Sequence, residues 1–137
     1  MKIDIAAIAD YAMLDQSGKM SIIGVFTQIN ALSFPMTYPR FFVCLRITCR
    51  PVESGSSHQL AIRIQDADGG ALAKLEGAFQ VPQVPQDGGW PNVQAVLELA
   101  GVQFPRPGTY SVEIAIDQRH QTSIALRVVA VKPPQPS

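Results

Sequence analysis

Charge is scarce in this sequence: 16% of its side chains are charged, and 11 basic residues balance 11 acidic ones for a formal net charge of zero. Globular chains usually carry about 25% charged residues. Without a basic excess the chain lacks the electrostatic footprint used on phosphate backbones and anionic membranes, which argues against nucleic-acid and membrane partners. Cysteine is almost as rare. Cys44 and Cys49 lie five positions apart in one extended segment, which directs them to opposite faces about 16 Å apart, beyond the reach of a disulfide. With two histidines, His58 and His120, and no Cys-x-x-Cys, the expectation is no metal and no cofactor. No run approaches the roughly 18 apolar residues of a membrane span. Asp4 and Asp10 interrupt the N-terminal apolar stretch before it could form a signal-peptide core. These absences place the expected location in the cytoplasm.

What is present is an apolar chain punctuated by proline. The 137 residues are 47% hydrophobic, enough for one domain with its own core. The 11 prolines fall between apolar runs, where central strands exclude them. Within the runs the period is two. Leu60, Ile62 and Ile64 share one face against Gln59, Arg63 and Gln65; Tyr110, Val112, Ile114 and Ile116 oppose Ser111, Glu113 and Asp117; Phe41, Val43, Leu45 and Ile47 oppose Arg46, Thr48 and Arg50. Gln16-Ser17-Gly18, Ala67-Asp68-Gly69-Gly70 and Asp117-Gln118-Arg119-His120 read as hairpin turns.

The pattern gives about eight strands, near 3–13, 20–31, 40–50, 58–66, 71–81, 93–102, 109–117 and 122–131. Segment 93–102 also fits a short helix, because Val93, Val96, Leu97 and Ala100 would line one face. The fold class is all-β, an antiparallel two-sheet β-sandwich spanning 1–131, with a Pro-rich C-terminal tail at 132–137. A jelly roll is the competing topology. The first strand, free of proline, reads as an unprotected edge where a second copy could dock.

Few residues combine into chemistry. There is no Gly-x-Ser-x-Gly elbow, and neither Gly69-Gly70 nor Gly88-Gly89 has phosphate-cradling spacing. Asp66-Ala67-Asp68-Gly69 begins like a calcium loop but lacks its later ligands, so a plain turn is expected. His58 follows Gly55-Ser56-Ser57, yet adjacent strand residues face opposite ways; His58 is read as capping the core edge and His120 as a solvated turn residue. Arg46, Arg50 and Arg63 are read as paired across strands with Glu113 and Asp117 rather than as an anion site. The long loop Val81–Asn92 holds the only tryptophan. There Trp90, Asp87 and Asn92 are the candidates for an exposed contact, while a lone Trp more commonly folds back to plug a sandwich end.

Two resemblances add to this. Pro107-Gly108-Thr109-Tyr110-Ser111-Val112 resembles the penultimate strand of immunoglobulin-like domains. That likeness implies a corner in which the Tyr110 hydroxyl bonds back to upstream backbone, with Val112 where antibody domains carry a cysteine. Ala9-Asp10-Tyr11-Ala12, Asp15, Gly18-Lys19, Ile22-Ile23-Gly24-Val25-Phe26, Phe34-Pro35, the Asp68-Gly69 turn, Phe104-Pro105 and Pro107-Gly108-Thr109-Tyr110 together resemble an uncharacterised bacterial family, a domain of unknown function. Members look like small all-β cytoplasmic proteins, and the resemblance implies no catalytic or cofactor residue. Gln118 departs from the family pattern, which has Gly after Asp117.

The expected function is therefore non-catalytic: a β-sandwich acting through protein-protein contacts, with self-association into a homo-oligomer. The alternatives are a carbohydrate- or small-ligand-binding module using Trp90, Asp87 and Asn92, and a small hydrolase using His58, which would need a partner supplied by the fold.

Overall fold

The computed structural model describes residues 1–133; most of the tail expected at 132–137 lies outside the described residues. Among the described residues nine strands form two sheets: β1 (Lys2–Leu14), β2 (Met20–Val25), β3 (Gln28–Ala31), β4 (Met36–Thr48), β5 (Ser57–Gln65), β6 (Ala71–Gln80), β7 (Asn92–Phe104), β8 (Gly108–Ile116) and β9 (Arg119–Ala130). The first sheet runs β2-β1-β4-β7 and the second β3-β9-β8-β5-β6. A 3-10 turn, Pro51–Glu53, precedes β5.

The period-two faces pack where their pattern directs them. Phe41, Val43, Leu45 and Ile47 of the first sheet meet Leu60, Ile62, Ile64, Val112, Ile114, Leu126 and Val128 of the second in one core. Segment 93–102 is strand, paired along its length with β4 from Met36↔Phe104 to Thr48↔Asn92. The Tyr110 hydroxyl donates to the Arg106 carbonyl at 2.6 Å, the backward bond that the tyrosine after a turn glycine implied.

Three expectations need correction. The segment 20–31 is two strands, because the chain leaves the first sheet after Val25 and joins the second at Gln28. Having switched sheets, β3 lies parallel to β9, so the fold is not antiparallel throughout. β1 is also not a bare edge: from Ala9 onward it pairs with β2, while residues 2–9 pair with β4.

The β1–β2 hairpin does more than widen the sheet. Phe42 and Cys44 alternate with the core residues Phe41 and Val43, so they face the other side of the first sheet. There Ala9, Ala12, Met20, Ile22 and Val96 gather on them as a second apolar cluster. Gln94 of β7 donates to the Gly18 carbonyl at the hairpin tip, 2.5 Å away, so the hairpin lies across that outer face. Gly24 permits the bend: its φ is +74°, and a Cβ there would stand 2.9 Å from the Asp10 carboxylate. Asp10 in turn accepts from the Tyr38 hydroxyl at 2.9 Å, and burial followed by that carboxylate pushes the phenol up to about 12.

Candidate functional site

A polar constellation forms where β5 begins beside the turn between β8 and β9. Asp117 and Gln118 occupy that turn with φ of 52° and 65°, a type I′ geometry reached without glycine. The cost of Asp117 in the left-handed region is offset by its contacts. Its Oδ1 accepts from the Gln59 N–H at 2.9 Å, its own N–H donates to the Gln59 carbonyl at 2.9 Å, and its Oδ2 meets His58 Nδ1 at 2.6 Å. On the other side of the ring, His58 Nε2 lies 2.7 Å from Ser56 Oγ. Phe79 of β6 stacks on the imidazole at 5.5 Å.

Ser56, His58 and Asp117 thus form a hydroxyl-imidazole-carboxylate chain, and the expected isolation of His58 is corrected. Opposite orientation holds for Ser57, but Ser56 is two residues from His58, and residues i and i+2 of an extended chain share a face. Asp117 is 59 positions from His58, and only the β5·β8 pairing brings it there.

Counting protons decides what this chain can do. Ser56 Oγ is 2.5 Å from the Glu53 carbonyl, which can only accept, so the single hydroxyl proton is committed there. The Ser56–His58 contact must then be donated by Nε2. The Asp117 carboxyl is held below the usual carboxylate range, first by the His58 hydrogen bond and then by the Gln59 N–H, so Nδ1 donates as well. All three contacts are satisfied at once only when both ring nitrogens carry protons; with one ring proton, Nε2 faces Ser56 as an acceptor. Ser56 also does not line the adjacent cleft of about 400 Å³, whose walls are Met1, Glu53, His58, Ile116, Asp117, Arg119 and Gln121.

The low-lying Asp117 carboxyl gives a signed pH effect. A carboxylate held below its unfolded value, about 3.9, stabilises the fold above that pH, and the contribution is lost as pH falls through the folded value. Asp117→Asn, which tolerates positive φ, is therefore expected to flatten the decline of the urea midpoint below about pH 4. An unchanged decline would show that the carboxylate is not linked to folding.

The remaining expected residues lie elsewhere. Trp90 is 58% exposed and plugs nothing. Asp87 is exposed on the same loop, where its Oδ1 accepts from the Gly89 N–H at 3.0 Å, and Asn92 is exposed as the first residue of β7, paired with Thr48. The arginines do find partners, but not those expected: β4 and β8 belong to different sheets, and Arg63, although it is the cross-strand neighbour of Glu113, turns its side chain to the Gly69 carbonyl. Arg46 makes a two-pronged pair with Asp4 at 3.0 Å, and Arg50 lies 3.7 Å from Glu53. Glu113 instead accepts from Ser123 and lies 2.9 Å from His120, so His120 is a bridging residue rather than merely solvated. Asp66 closes its turn by accepting from the Asp68 and Gly70 N–H groups. No group of three His, Cys, Asp or Glu side chains among the described residues is placed to hold a metal.

The feature missed in the sequence is an exposed apolar surface on the β1–β2 hairpin. Tyr11 and Ile23 are cross-strand partners, and with Met13, Leu14 and Val25 they are 41–61% exposed.

These observations define a small all-β domain of two packed sheets bearing an apolar hairpin and a His-centred polar junction. The chain belongs to a family of unknown function, DUF6941, whose profile matches residues 4–129. The resemblance to an uncharacterised family of small all-β proteins is thereby borne out. No curated protein matches it. Among solved structures it is similar to Pseudomonas fluorescens alkylpurine DNA glycosylase AlkC bound to DNA containing an abasic site analog. The TM-score is 0.51 at 12% identity, over 91% of this chain and 31% of that one. This chain therefore spans about a third of that protein's length, and the likeness is one of fold. It also overturns the exclusion of nucleic acid made above: a fold present in a DNA-bound protein cannot be struck from that class on net charge. Net charge averages the whole surface, whereas phosphate contacts are local.

Proposed function

We propose that this protein is a non-catalytic, immunoglobulin-like β-sandwich of the bacterial cytoplasm that acts through protein-protein contacts, self-association among them, made by the β1–β2 hairpin. The observation that carries the reading is the exposed apolar set on the hairpin: Tyr11, Met13, Ile23 and Val25, with Leu14 exposed at the end of β1 on the face of its partner Met20. Clustered exposed apolar side chains mark contact surfaces, and this cluster rides on a second apolar layer that holds the hairpin in place. The immunoglobulin-like topology is supported over a jelly roll by the order β3-β9-β8-β5-β6 with β3 parallel to β9, and by the Tyr110 corner. The absence of catalysis is supported by the place of Ser56, whose hydroxyl is bonded to the Glu53 carbonyl and which is not among the residues lining the cleft beside His58. A reducing compartment accords with Cys44 and Cys49, two free buried thiols in separate apolar clusters.

The test is sedimentation over the accessible concentration range. Wild type is expected to associate, and Ile23→Lys with Val25→Lys to stay monomeric with its fold intact, since both positions are exposed. Trp90→Ala is expected to associate like wild type, which separates the hairpin from the 81–92 loop. A monomeric wild type removes self-association. A labelled abasic duplex run alongside at low salt is the comparison for the DNA-bound neighbour, and binding to it that both lysine substitutions leave unchanged would overturn the reading.

A further inference from the structure

We propose that His58 is a proton-operated clasp joining the turn before β5 to the β8–β9 turn, closed when the imidazole carries both protons and open at one end when it carries one. The argument is a count of donors. The three contacts Ser56–Glu53, Ser56–His58 and His58–Asp117, at 2.5, 2.7 and 2.6 Å, need three protons. Ser56 supplies one and a doubly protonated ring supplies two. After loss of a ring proton only two remain, and the Asp117 carboxylate keeps one at Nδ1. Nε2 then becomes an acceptor. Either Ser56 turns its hydroxyl to the ring and releases the Glu53 carbonyl, or it keeps Glu53 and faces Nε2 with no proton between them.

The released contact closes the turn over residues 53–56, whose ties at Gly55 and Ser56 are the Ser56 N–H to the Glu53 carbonyl at 3.1 Å, the Gly55 N–H to the Val81 carbonyl at 2.9 Å, the Val81 N–H to the Ser56 carbonyl at 2.9 Å and the Gln80 side chain to the Gly55 carbonyl at 3.3 Å. Glu53 also forms a wall of the cleft beside His58, so the proton alters the position of a cleft residue. The charged groups facing the imidazole are the Met1 amine and Glu53 from the N-terminus and the 3-10 turn, and Asp117 and Arg119 from the β8–β9 turn; Phe79 of β6 contributes an uncharged face. Glu53 is itself held low by the Arg50 N–H and the Met1 amine, which lie 2.7 and 3.2 Å from Oε1, so it stays a carboxylate across the imidazole range.

The experiment is amide-exchange protection by NMR through the imidazole titration, with the ring nitrogens of His58 followed in the same samples. Protection factors are compared so that intrinsic base catalysis divides out. In wild type, protection at Gly55 and Ser56 is expected to fall roughly three- to tenfold as the ring loses a proton, the worth of one hydrogen bond. At Val112 and Ile114 it should stay constant. Ser56→Ala removes the competing hydroxyl and is expected to abolish the pH dependence at Gly55 while leaving the His58 ring titrating. His120→Gln should behave as wild type, because His120 contacts Glu113 and Ser123 instead. The clasp is overturned if Ser56→Ala keeps the wild-type pH dependence, or if wild-type protection does not change while His58 titrates.

Discussion

Phe41→Ala is expected to lower the free energy of unfolding by about 3–5 kcal/mol, a large share of the roughly 5–15 kcal/mol that holds a domain together. Phe41 is fully buried on the inner face of β4, the strand that joins β1 to β7. Its ring meets Phe26 at 6.1 Å and Tyr38 at 5.7 Å, both edge-on, and its cross-strand partner is Leu99. Phe26 stands where the chain crosses from the first sheet to the second. Removing the Phe41 ring therefore opens a cavity where both sheets and their crossover converge, and the surrounding aromatics are tied down by the Tyr38–Asp10 bond. Incomplete relaxation places the cost in the upper part of its range. With a urea slope of about 2 kcal/mol per molar, the midpoint should fall by roughly 2 M in one cooperative transition. A loss below about 1 kcal/mol would show that this part of the core is loosely packed.

How far the sequence discloses this structure depends on the range over which each signal acts. The inner faces of β4, β5 and β8 are legible because alternation is a property of neighbouring residues: Phe41 to Ile47, Leu60 to Ile64 and Tyr110 to Ile116 all enter the core as their period requires. The Tyr110 bond came instead from the likeness of Pro107 to Val112 to an immunoglobulin-like strand, and its acceptor, the Arg106 carbonyl, is four residues away. The division of 20–31 had a local signal in Gly24, an isolated glycine in a strand pattern, which commonly marks a bend or bulge. The overlay of the hairpin on the outer face had none, because it rests on Gly18 meeting Gln94 across 76 positions. The His58 junction is divided in the same way. Ser56 was within reach of a two-residue rule, whereas Asp117 required the β5·β8 register. Polarity also misled at the arginines: outward charges on two strands were assigned to each other before the sheets were known, and Arg46 took its carboxylate from β1.

Phe42→Ala is expected to act through a different unit from its neighbour. Phe42 is 8% exposed and lies on the opposite face of β4, under the hairpin, with Tyr11 edge-on at 5.6 Å and the Arg40 guanidinium 5.5 Å from the ring centre. The layer above it is thin: Ala9, Ala12, Met20 and Ile22, with Cys44 and Val96 beside it. Losing the ring costs about 3 kcal/mol, the low end for a buried phenylalanine, because one side of this cluster is close to solvent. That loss falls on the hairpin, whose part beyond Ala9 is held to the first sheet by this cluster, the Gln94–Gly18 bond and the Tyr38–Asp10 bond. Amide protection over residues 11–14 and 20–25 should therefore drop by roughly a hundredfold, while β5 and β8 remain protected. The contact surface fails with it. Tyr11, Ile23 and Val25 keep their chemistry but lose their fixed arrangement, so Phe42→Ala should weaken association without altering any exposed contact residue. A uniform loss of protection along the chain, as expected of Phe41→Ala, would show that hairpin and sheets unfold as one unit. Undiminished association by a detached hairpin would show that its surface needs no rigid support.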